Sequence, residues 1–346
     1  MKEYFELLNK KALIIAELSA NHNGSLETAI KTIRAAKRAG ADAIKLQTYT
    51  PDTITISSKT KDFLLKQGTI WDGKYLYDLY QEAYTPWEWH KQLFDVAKEE
   101  GLICFSTPFD HSAVDFLEEL GNPIYKIASF EITDIPLIRY VASKGKPIII
   151  STGIAAKQDI DLAIESCKNE GNDQIALLKC TSSYPAPIAE ANLIMIRDLA
   201  EHYGVITGLS DHTLGIIAPI VAISKGAKII EKHLILNKSI GGPDSSFSLD
   251  EKEFTQMVKA IRDTEIAIGK VDYDLTEKQK QGRNFSRSLY IVNNVKKGDM
   301  VSLNNVRSVR PGYGLHPKYL RKIIGKKFKK DFSKGTRMSL DKLNKY

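Results

Sequence analysis

Reactive side chains recur in this sequence at or just past the ends of short apolar segments. Eight such segments lie in the first two-thirds of the chain, and the residues at or just past their ends include lysine, glutamate, glutamine, histidine, serine and threonine. Ammonium and hydroxyl groups that converge on one point bind phosphate or carboxylate. Imidazoles on adjacent strand ends can share a divalent metal ion. The chemistry predicted is therefore anion binding beside a metal, with these candidates: Glu17, Lys45, Gln47, Thr107, Lys126, Ser129, Glu131, Ser151, Ser182, Ser210, His212 and His233.

The elements that must position these side chains alternate along the chain. The apolar segments predict eight strands: Ala12–Leu18, Ala43–Thr48, Leu102–Thr107, Ile124–Ser129, Pro147–Thr152, Ile175–Cys180, Val205–Ser210 and Lys228–His233. Segments with apolar residues at helical spacing separate them, and this alternation predicts parallel strands joined by right-handed crossovers. An open doubly wound sheet would concentrate its site at one switch point. Polar residues at all eight strand ends favour a (β/α)8 TIM barrel, in which those ends meet at one mouth.

The length leaves room for a second domain, since the chain has 346 residues and a (β/α)8 barrel needs about 250. We predict a catalytic barrel over residues 1–270, a polar linker over 271–284 and a small β-rich domain over 285–346. Within the last region, the segment Lys297–Leu303 is echoed 37 residues later by Lys334–Leu340, with four of seven positions identical. A small pseudo-symmetric domain would produce this echo.

The charge of +7 is unevenly distributed, because residues 285–346 hold 16 Lys and Arg against three Asp. That region carries +13 and the rest of the chain −6. A basic domain attracts anions, either nucleic acid or a phosphorylated or carboxylated small molecule. A solvated basic surface explains the lysines equally well. The region has few of the repeated aromatic residues on which single-strand binders stack bases, which favours a small-molecule partner.

Several other classes of protein are disfavoured by the sequence. The charged amino terminus lacks the apolar core of a signal peptide, and no apolar run approaches the roughly 18 residues of a membrane span. Cys104, Cys167 and Cys180 show no paired spacing, so we expect a reduced, cytoplasmic setting. There is also no glycine-rich nucleotide-binding loop and no GxSxG elbow.

Some alternatives stay open on the residues alone. Glu17 is a candidate third metal ligand or a residue that holds a metal-bound water. Lys45, Lys126 or Lys179 could instead form a Schiff base, as in barrel aldolases. Asp244 either binds sugar hydroxyls or caps a turn. The stretch 50–84 is too long for a plain loop, and its aromatic residues predict that it packs over the mouth.

The segments around these candidates resemble the sialic acid synthase family. The similar segments run in order through nearly the whole chain: 16–24, 45–48, 105–109, 126–129, 151–153, 180–185, 208–212, 230–233, 285–290 and 309–317. Within that family, the segments 20–22, 285–290 and 314–317 are most similar to the pseudaminic acid synthases. The N-acetylneuraminate and legionaminate synthases are the alternatives.

The resemblance implies a TIM barrel followed by an antifreeze-like (SAF) domain, in a domain-swapped homodimer whose small domain covers the partner's barrel. It also implies a transferase that condenses phosphoenolpyruvate with an amino-sugar aldehyde and water and releases phosphate. For the pseudaminic acid synthases the sugar is 2,4-diacetamido-2,4,6-trideoxy-L-altrose. The implied cofactor is a divalent metal ion, Mn²⁺ first, with Mg²⁺ or Co²⁺ as alternatives.

Site residues follow from the same resemblance. The implied catalytic residues are Glu17, Lys45 and Lys126, and the implied metal ligands are His212 and His233. The implied phosphoenolpyruvate contacts are Lys45, Thr107, Lys126, Ser129, Ser151, Ser182 and Ser210. The implied sugar contacts are Gln47, Glu131, Tyr184, Asp244, Phe285 and Arg310. Ser182 departs from the family, which commonly has Asn at this position.

Overall fold

A computed structural model describes residues 11–66 and 68–344 of the chain. The chain divides into two compact units, of which the first ends at Gly269 and the second begins at Lys270. Each unit is described by itself below.

The first unit is a closed barrel of eight parallel strands, in sequential order, with β8 paired to β1. In this register Glu17 lies opposite Lys45 on one side and His233 on the other. The strands are β1 Leu13–Glu17, β2 Ala43–Thr48, β3 Ile103–Pro108, β4 Tyr125–Ile127, β5 Ile148–Ser151, β6 Ile175–Cys180, β7 Ile206–Asp211 and β8 Ile229–His233. The predicted barrel is therefore confirmed. Strand β4 ends earlier than predicted, because Ser129 begins a short 3₁₀ turn.

The described part of the first unit has ten helices, of which α2 and α3 belong to the segment over the mouth and the other eight cover the outside of the barrel. They are α1 Leu26–Arg38, α2 Pro51–Ile54, α3 Leu76–Ala83, α4 Trp87–Glu99, α5 His111–Glu119, α6 Ile135–Ala142, α7 Lys157–Asn169, α8 Met195–Tyr203, α9 Ile217–Ser224 and α10 Glu251–Ile268, among the described residues. Local chemistry sets several helix starts, as at α10, where Asp250 and Glu253 form a reciprocal capping box that satisfies two free backbone N–H groups.

The interior of the barrel holds one apolar layer with a polar layer above it. Seven of the strands, or residues directly beside them, contribute one or two side chains each to the apolar layer, and Ile206 of β7 packs against it. The members of the layer are Ile15, Ala43, Phe105, Ile124, Ile149, Ala176, Leu178 and Ile229. Because side chains alternate along a strand, the residues two positions further along point into the barrel as well. Those residues include Glu17, Lys45, Thr107, Lys126, Ser151 and Glu231. Strand periodicity thus places the polar side chains on a close-packed apolar floor.

The long segment between β2 and α4 crosses the mouth of the barrel, as predicted. It contains α2, a 3₁₀ turn over Lys61–Phe63, a hairpin closed by the antiparallel bridge between Leu64 and Tyr75, and α3. The indole Nε1 of Trp71 donates a hydrogen bond of 3.0 Å to the Pro243 carbonyl in the loop after β8. This contact ties the hairpin to the loop after β8, whose strand is separated from β2 by β1 alone.

The second unit is a small β-rich domain. Strands β9 Ser288–Ile291 and β10 Val306–Val309 pair antiparallel, and the apolar core includes Leu289, Ile291, Val301, Val306, Phe328 and Met338. Within the stretch expected to be a linker, α11 Glu277–Gly282 forms one short helix, and α12 Leu320–Ile323 lies later in the unit. The two echoed segments adopt similar turns, since Gly298 and Gly335 have φ of 91° and 88°.

Cys104, Cys167 and Cys180 are free thiols, and all three are buried. Across residues 11–66 and 68–344, no helix has both the length and the apolar character needed to cross a bilayer.

Candidate active site

A cavity of about 890 Å³ opens at the carboxyl ends of the barrel strands, within the range of about 300–1,000 Å³ that small-molecule sites occupy. Of the residues predicted from the sequence, it is lined by Glu17, Lys45, Gln47, Lys126, Ser129, Glu131, Ser151, Ser182, Tyr184, Ser210, His212, His233 and Asp244. Thr107 is buried below them and contacts Lys45. Phe285 and Arg310 belong to the second unit, where both are exposed.

Lys45 lies at the centre of the polar layer. Its Nζ is 2.6 Å from Glu17 Oε2, 3.7 Å from Glu231 Oε1 and 3.2 Å from Thr107 Oγ1. Burial acts to lower the pKa of Lys45, but the two carboxylates outweigh it and raise the pKa above the ordinary value. Lys45 is therefore a fixed positive charge on the cavity floor.

Lys126 is the second buried ammonium group. Its Nζ donates to Ser151 Oγ at 2.6 Å and lies 3.9 Å from Glu231 Oε1. Burial lowers the pKa of Lys126, and the attraction of Glu231 opposes this only in part. The two lysines thus flank a single carboxylate, and a second anion that binds beside them would meet two positive charges.

Three serines and one glycine form a small hydroxyl cradle next to Lys126, defined here as Ser129, Ser151, Gly153 and Ser182. The Gly153 N–H donates to Ser129 Oγ at 3.1 Å. A Cβ at position 153 would lie 2.1 Å from Ser182 Oγ and 2.7 Å from Ser129 Oγ. Ser182 Oγ is buried and finds no hydrogen-bond partner in the described part of the chain. Only glycine at 153 allows these hydroxyls to converge, and such a cradle suits phosphate oxygens.

Glu231 is a site residue to which the sequence argument assigned no role. It is buried on β8, it accepts a hydrogen bond of 3.1 Å from Ser210 Oγ, and its Oε2 has no hydrogen-bond donor among residues 11–66 and 68–344. Burial acts to raise its pKa, but Lys126 and Lys45 lower it overall. The signal that points to it is strand alternation, because Glu231 shares the inner face of β8 with Ile229 and His233.

Glu17 differs from Glu231 in its protonation. Its Oε1 accepts a hydrogen bond of 3.1 Å from Gln47 Nε2. Burial raises the pKa of Glu17 to about 7, against the opposing charge of Lys45. A carboxyl group that titrates near neutrality can both accept and release a proton during turnover.

His212 and His233 lie side by side, with ring centroids 5.4 Å apart. Burial acts to lower the pKa of His212, but the nearby Cys180 outweighs it and raises the pKa above its ordinary value. The His212 Nδ1–H donates to the Thr181 carbonyl at 3.1 Å, so Nε2 is the nitrogen left to bind a metal once it has lost its proton. Backbone carbonyls orient metal-binding imidazoles in this way. Burial, and then the nearby His212, hold the pKa of His233 well below its usual range, so His233 is neutral as a ligand must be.

The two imidazoles fit a divalent metal ion only as a pair. Among the described residues, no group of three His, Cys, Asp or Glu side chains is arranged to hold a metal. Glu17 is thus not a third member of such a group. A catalytic metal commonly keeps positions for water or substrate, and the remaining ligands would come from those.

The sugar candidates of the first unit lie on the upper part of the cavity. The Tyr184 ring lies between Trp71 and His212, with centroid distances of 5.2 and 4.4 Å. Asp244 Oδ2 accepts a hydrogen bond of 3.4 Å from Ala20 N–H and lies 3.6 Å from His233 Nδ1. Burial raises the pKa of Glu131 to about 7. These groups offer both hydrogen bonds and an aromatic surface.

Lys179, a Schiff-base candidate, is directed away from the cavity. It alternates with Leu178 and Cys180 on β6, its Nζ donates to the Cys180 carbonyl at 2.6 Å, and in the described structure it is not among the residues that line the cavity. Of the three lysines, only Lys45 and Lys126 can reach a bound molecule there.

Comparisons with known proteins agree with this geometry. The model of the NeuB family matches residues 32–273, and that of the SAF domain matches residues 286–343. The chain is 51% identical over 327 residues to a pseudaminic acid synthase of Campylobacter jejuni, covering 94% of this chain and 95% of that one. It is 46% identical over 333 residues to the pseudaminic acid synthase of Helicobacter pylori, with 96% and 98% covered. The crystal structure of an N-acetylneuraminic acid synthetase from Leptospira borgpetersenii aligns with a TM-score of 0.71 at 30% identity, over 79% of this chain and 90% of that one.

Proposed function

This chain belongs to the NeuB family, and on that premise we propose that it is a transferase that makes pseudaminic acid. The reaction condenses phosphoenolpyruvate with 2,4-diacetamido-2,4,6-trideoxy-L-altrose and water, and it releases phosphate. Support comes from two relatives named pseudaminic acid synthase, which are 51% and 46% identical over nearly the whole chain. Relatives named N,N'-diacetyllegionaminic acid synthase are 36–37% identical.

The observation that carries the proposal is the meeting of an anion site and an imidazole pair at one cavity floor. Lys45, Lys126 and the hydroxyl cradle lie on the strands that precede His212 and His233 around the barrel. An enol phosphate needs the first group of residues, and an aldehyde electrophile needs the second. One cavity therefore brings the two substrates together.

The lysines and serines bind phosphoenolpyruvate in this proposal. Ammonium groups neutralise its carboxylate and phosphate, and the hydroxyls of Ser129, Ser151 and Ser182 donate to phosphate oxygens. These donors are held in place before the reaction, so they stabilise the charge that grows on phosphate as its bond to carbon breaks. Ser210 holds Glu231 in position, because its hydroxyl donates a hydrogen bond to the Glu231 carboxylate.

The sugar binds with its aldehyde toward His212 and His233. A divalent ion held by those imidazoles, with Mn²⁺ proposed and Mg²⁺ or Co²⁺ as alternatives, supplies Lewis-acid polarisation of the aldehyde oxygen when bound. Gln47, Glu131, Tyr184 and Asp244 then orient the sugar through its hydroxyl and acetamido groups. A carbon–carbon bond forms between the aldehyde carbon and the methylene carbon of phosphoenolpyruvate as the aldehyde C=O π bond breaks, and the aldehyde oxygen takes up a proton to become a hydroxyl.

Glu17 manages the proton of the incoming water. Once the new bond forms, the enol carbon is electron-poor and accepts water, and phosphate leaves from the same carbon. With a pKa of about 7, Glu17 takes a proton from that water as its oxygen bonds to carbon. The adjacent Lys45 holds the carboxylate in position through the 2.6 Å contact.

The proposal includes Phe285 and Arg310 as sugar contacts within a domain-swapped homodimer. Both residues are exposed in the second unit, and 73% of Phe285 is accessible. Phenylalanine and arginine are enriched at interfaces between proteins. In this dimer, the second unit of one protomer covers the barrel of its partner.

The test is phosphate release from phosphoenolpyruvate with purified protein and Mn²⁺. The sugar is varied among 2,4-diacetamido-2,4,6-trideoxy-L-altrose, the corresponding mannose compound and N-acetylmannosamine, each with and without a chelator. We expect chelator-sensitive turnover with the altrose compound alone. Preference for another sugar would refute the substrate assignment, and no release with any sugar would refute the reaction.

One observation favours a second chemistry, because burial lowers the pKa of Lys126 and makes it a better nucleophile. A Schiff-base lyase would form an imine between Lys126 and a keto acid such as pyruvate. Borohydride reduction in the presence of pyruvate would then attach a label to Lys126. We expect no labelling, since Lys126 Nζ donates to Ser151 Oγ and to the Ile127 carbonyl and lies 3.9 Å from the Glu231 carboxylate.

A further inference from the structure

The cavity has two chemically different halves. Its floor carries the charged and hydroxyl side chains of the strand ends, whereas apolar side chains make up much of the upper wall beneath the hairpin, beside Asp62, Thr69 and Tyr80. Leu65 and Ile70 from the hairpin over the mouth, Leu76 and Leu79 from α3 and Phe109 after β3 contribute to this wall. We call the described part of this hairpin, residues 64–66 and 68–75, the roof hairpin.

The roof hairpin is a built structure rather than a loose loop. Leu65 N–H donates to the Lys74 carbonyl and Gly73 N–H donates to the Leu65 carbonyl, each at 3.0 Å. Two of its polar side chains are paired within the hairpin, since Asp72 accepts hydrogen bonds from the Thr69 N–H and the Thr69 hydroxyl at 2.9 and 2.8 Å. Trp71 anchors the tip at Pro243. The apolar side chains of the hairpin are therefore held in place over the cavity.

Among the described residues that line the cavity, Phe130 and Ile70 are the large apolar side chains that stay exposed, at 56% and 48%, and Ile70 is the one on the roof hairpin. An apolar group of a bound molecule would therefore remove Ile70 from water. Burial of apolar surface is favourable by about 25 cal/mol per Å². A hydroxyl in the same place would lose its water and find no partner on Ile70 or Leu65.

A bound sugar therefore has its aldehyde end in polar surroundings and its other end in more apolar surroundings. The aldehyde end belongs at the floor, next to the phosphoenolpyruvate site and the imidazoles. The far end of the chain then lies toward the upper wall. We propose that Ile70 and Leu65 of the roof hairpin form a subsite for the methyl end of a 6-deoxy sugar and select it over a sugar with a hydroxymethyl group at C6. This inference rests on the proposed function and names its specificity residues.

The magnitude expected is moderate. An apolar pocket rejects an added hydroxyl by roughly 100-fold, and a lost methylene changes kcat/KM by about 10- to 200-fold. Replacing Ile70 with serine removes the apolar contact and supplies a hydroxyl partner. We expect I70S to lower kcat/KM for the 6-deoxy sugar by about 10-fold while it leaves the 6-hydroxy sugar within about threefold, so the preference for the methyl group falls.

The chain offers a matched control in the same segment. Ile56 is 61% exposed and does not line the cavity within the described residues. I56S therefore changes an isoleucine of similar exposure without touching the subsite. We expect wild-type discrimination from I56S. A smaller change, I70V, should reduce discrimination in the same direction but by less than I70S.

The experiment compares sugars that differ only at C6. Initial rates of phosphate release are measured at saturating phosphoenolpyruvate with the 6-deoxy and the 6-hydroxy 2,4-diacetamido sugars, in the altrose and the mannose series. The KM for phosphoenolpyruvate and the thermal unfolding midpoint are measured for every variant.

Each outcome has a separate meaning. An equal loss for both sugars in I70S, or no loss, would overturn the subsite, as would a wild-type enzyme that uses both sugars of a pair equally. Preference for the mannose series would refute the altrose assignment, while the C6 comparison within that series still decides the subsite. A wild-type enzyme that turns over none of the sugars would refute both proposals.

Discussion

Gly153 offers a strict test of the phosphate site, because the packing there leaves no room for a methyl group. A Cβ at this position would lie 2.1 Å from Ser182 Oγ and 2.7 Å from Ser129 Oγ, whereas ordinary contact begins near 3.4 Å. Gly153→Ala must therefore displace both hydroxyls by roughly an ångström. Ser182 is only partly buried, so its side chain can rotate and the barrel can still fold.

The expected cost falls on phosphoenolpyruvate binding. A hydrogen bond to a charged group is worth about 1.5–3 kcal/mol, and each 1.4 kcal/mol is about tenfold in affinity. Displacing one hydroxyl alone should raise the KM for phosphoenolpyruvate by about 10-fold or more. The KM for the sugar should change far less, since the sugar candidates lie elsewhere in the cavity.

The assay is steady-state phosphate release with phosphoenolpyruvate varied, together with calorimetric binding of phosphoenolpyruvate alone. Gly282→Ala is the matched control, because a Cβ there meets no atom within 4 Å. Ser182→Ala removes the closest oxygen, so Gly153→Ala should cost less in that background than in the wild type. Such non-additivity is expected of residues in direct contact. A folded Gly153→Ala protein with a KM within twofold of wild type would refute the hydroxyl cradle.

Three further predictions concern the other parts of the site. His212→Ala should lower both metal affinity and turnover, and a variant with normal metal dependence and rate would remove His212 as a ligand. Glu17→Gln should reduce kcat by about 10²–10⁴-fold and abolish the limb of the pH–rate profile near pH 7; retention of that limb would assign it to another group. The folded-state pKa of Glu17 is raised from 4.5 to about 7. Protonated Glu17 therefore contributes fully to the free energy of unfolding below pH 4.5, and this contribution is lost as the pH rises through 7. Each pKa unit is 1.36 kcal/mol, so denaturant unfolding of Glu17→Gln should lack a pH-dependent loss of about 3 kcal/mol between pH 4 and 8.5. Arg310→Ala should impair sugar use more than phosphoenolpyruvate binding. If the dimer exchanges its small domains, refolding an equal mixture of Arg310→Ala and His212→Ala should restore about a quarter of wild-type activity, because half of the dimers are mixed and each mixed dimer has one intact site of two. No regain would contradict that exchange.

The strand ends show how much of the site could be predicted from sequence. The segments Ala43–Thr48 and Ile175–Cys180 coincide with the observed strands, because a buried parallel strand is a continuous apolar run that is visible locally. A closed barrel then brings the residues at its strand ends to one mouth, whatever their separation in sequence. For that reason Lys45, Lys126 and His233 could be grouped before any distance was known.

Other features depend on contacts between distant parts of the chain. The absence of space at Gly153 arises from serines on two other strand ends, and the pKa of Glu17 reflects burial and the charges of Lys45 and Glu231. The position of Ile70 over the cavity depends on the bond from Trp71 to Pro243. None of these has a pattern within a short stretch of sequence.

The sequence by itself determined the barrel, its order of strands and the kinds of side chain at its mouth. These follow from hydrophobic periodicity and from polar residues at strand ends, which are local properties of the chain. Tertiary structure alone decided which hydroxyls converge, which carboxyl group titrates near neutrality and which apolar side chains face the cavity. Those properties arise from close packing and from charges separated by a few ångströms, and only the folded chain brings such groups together.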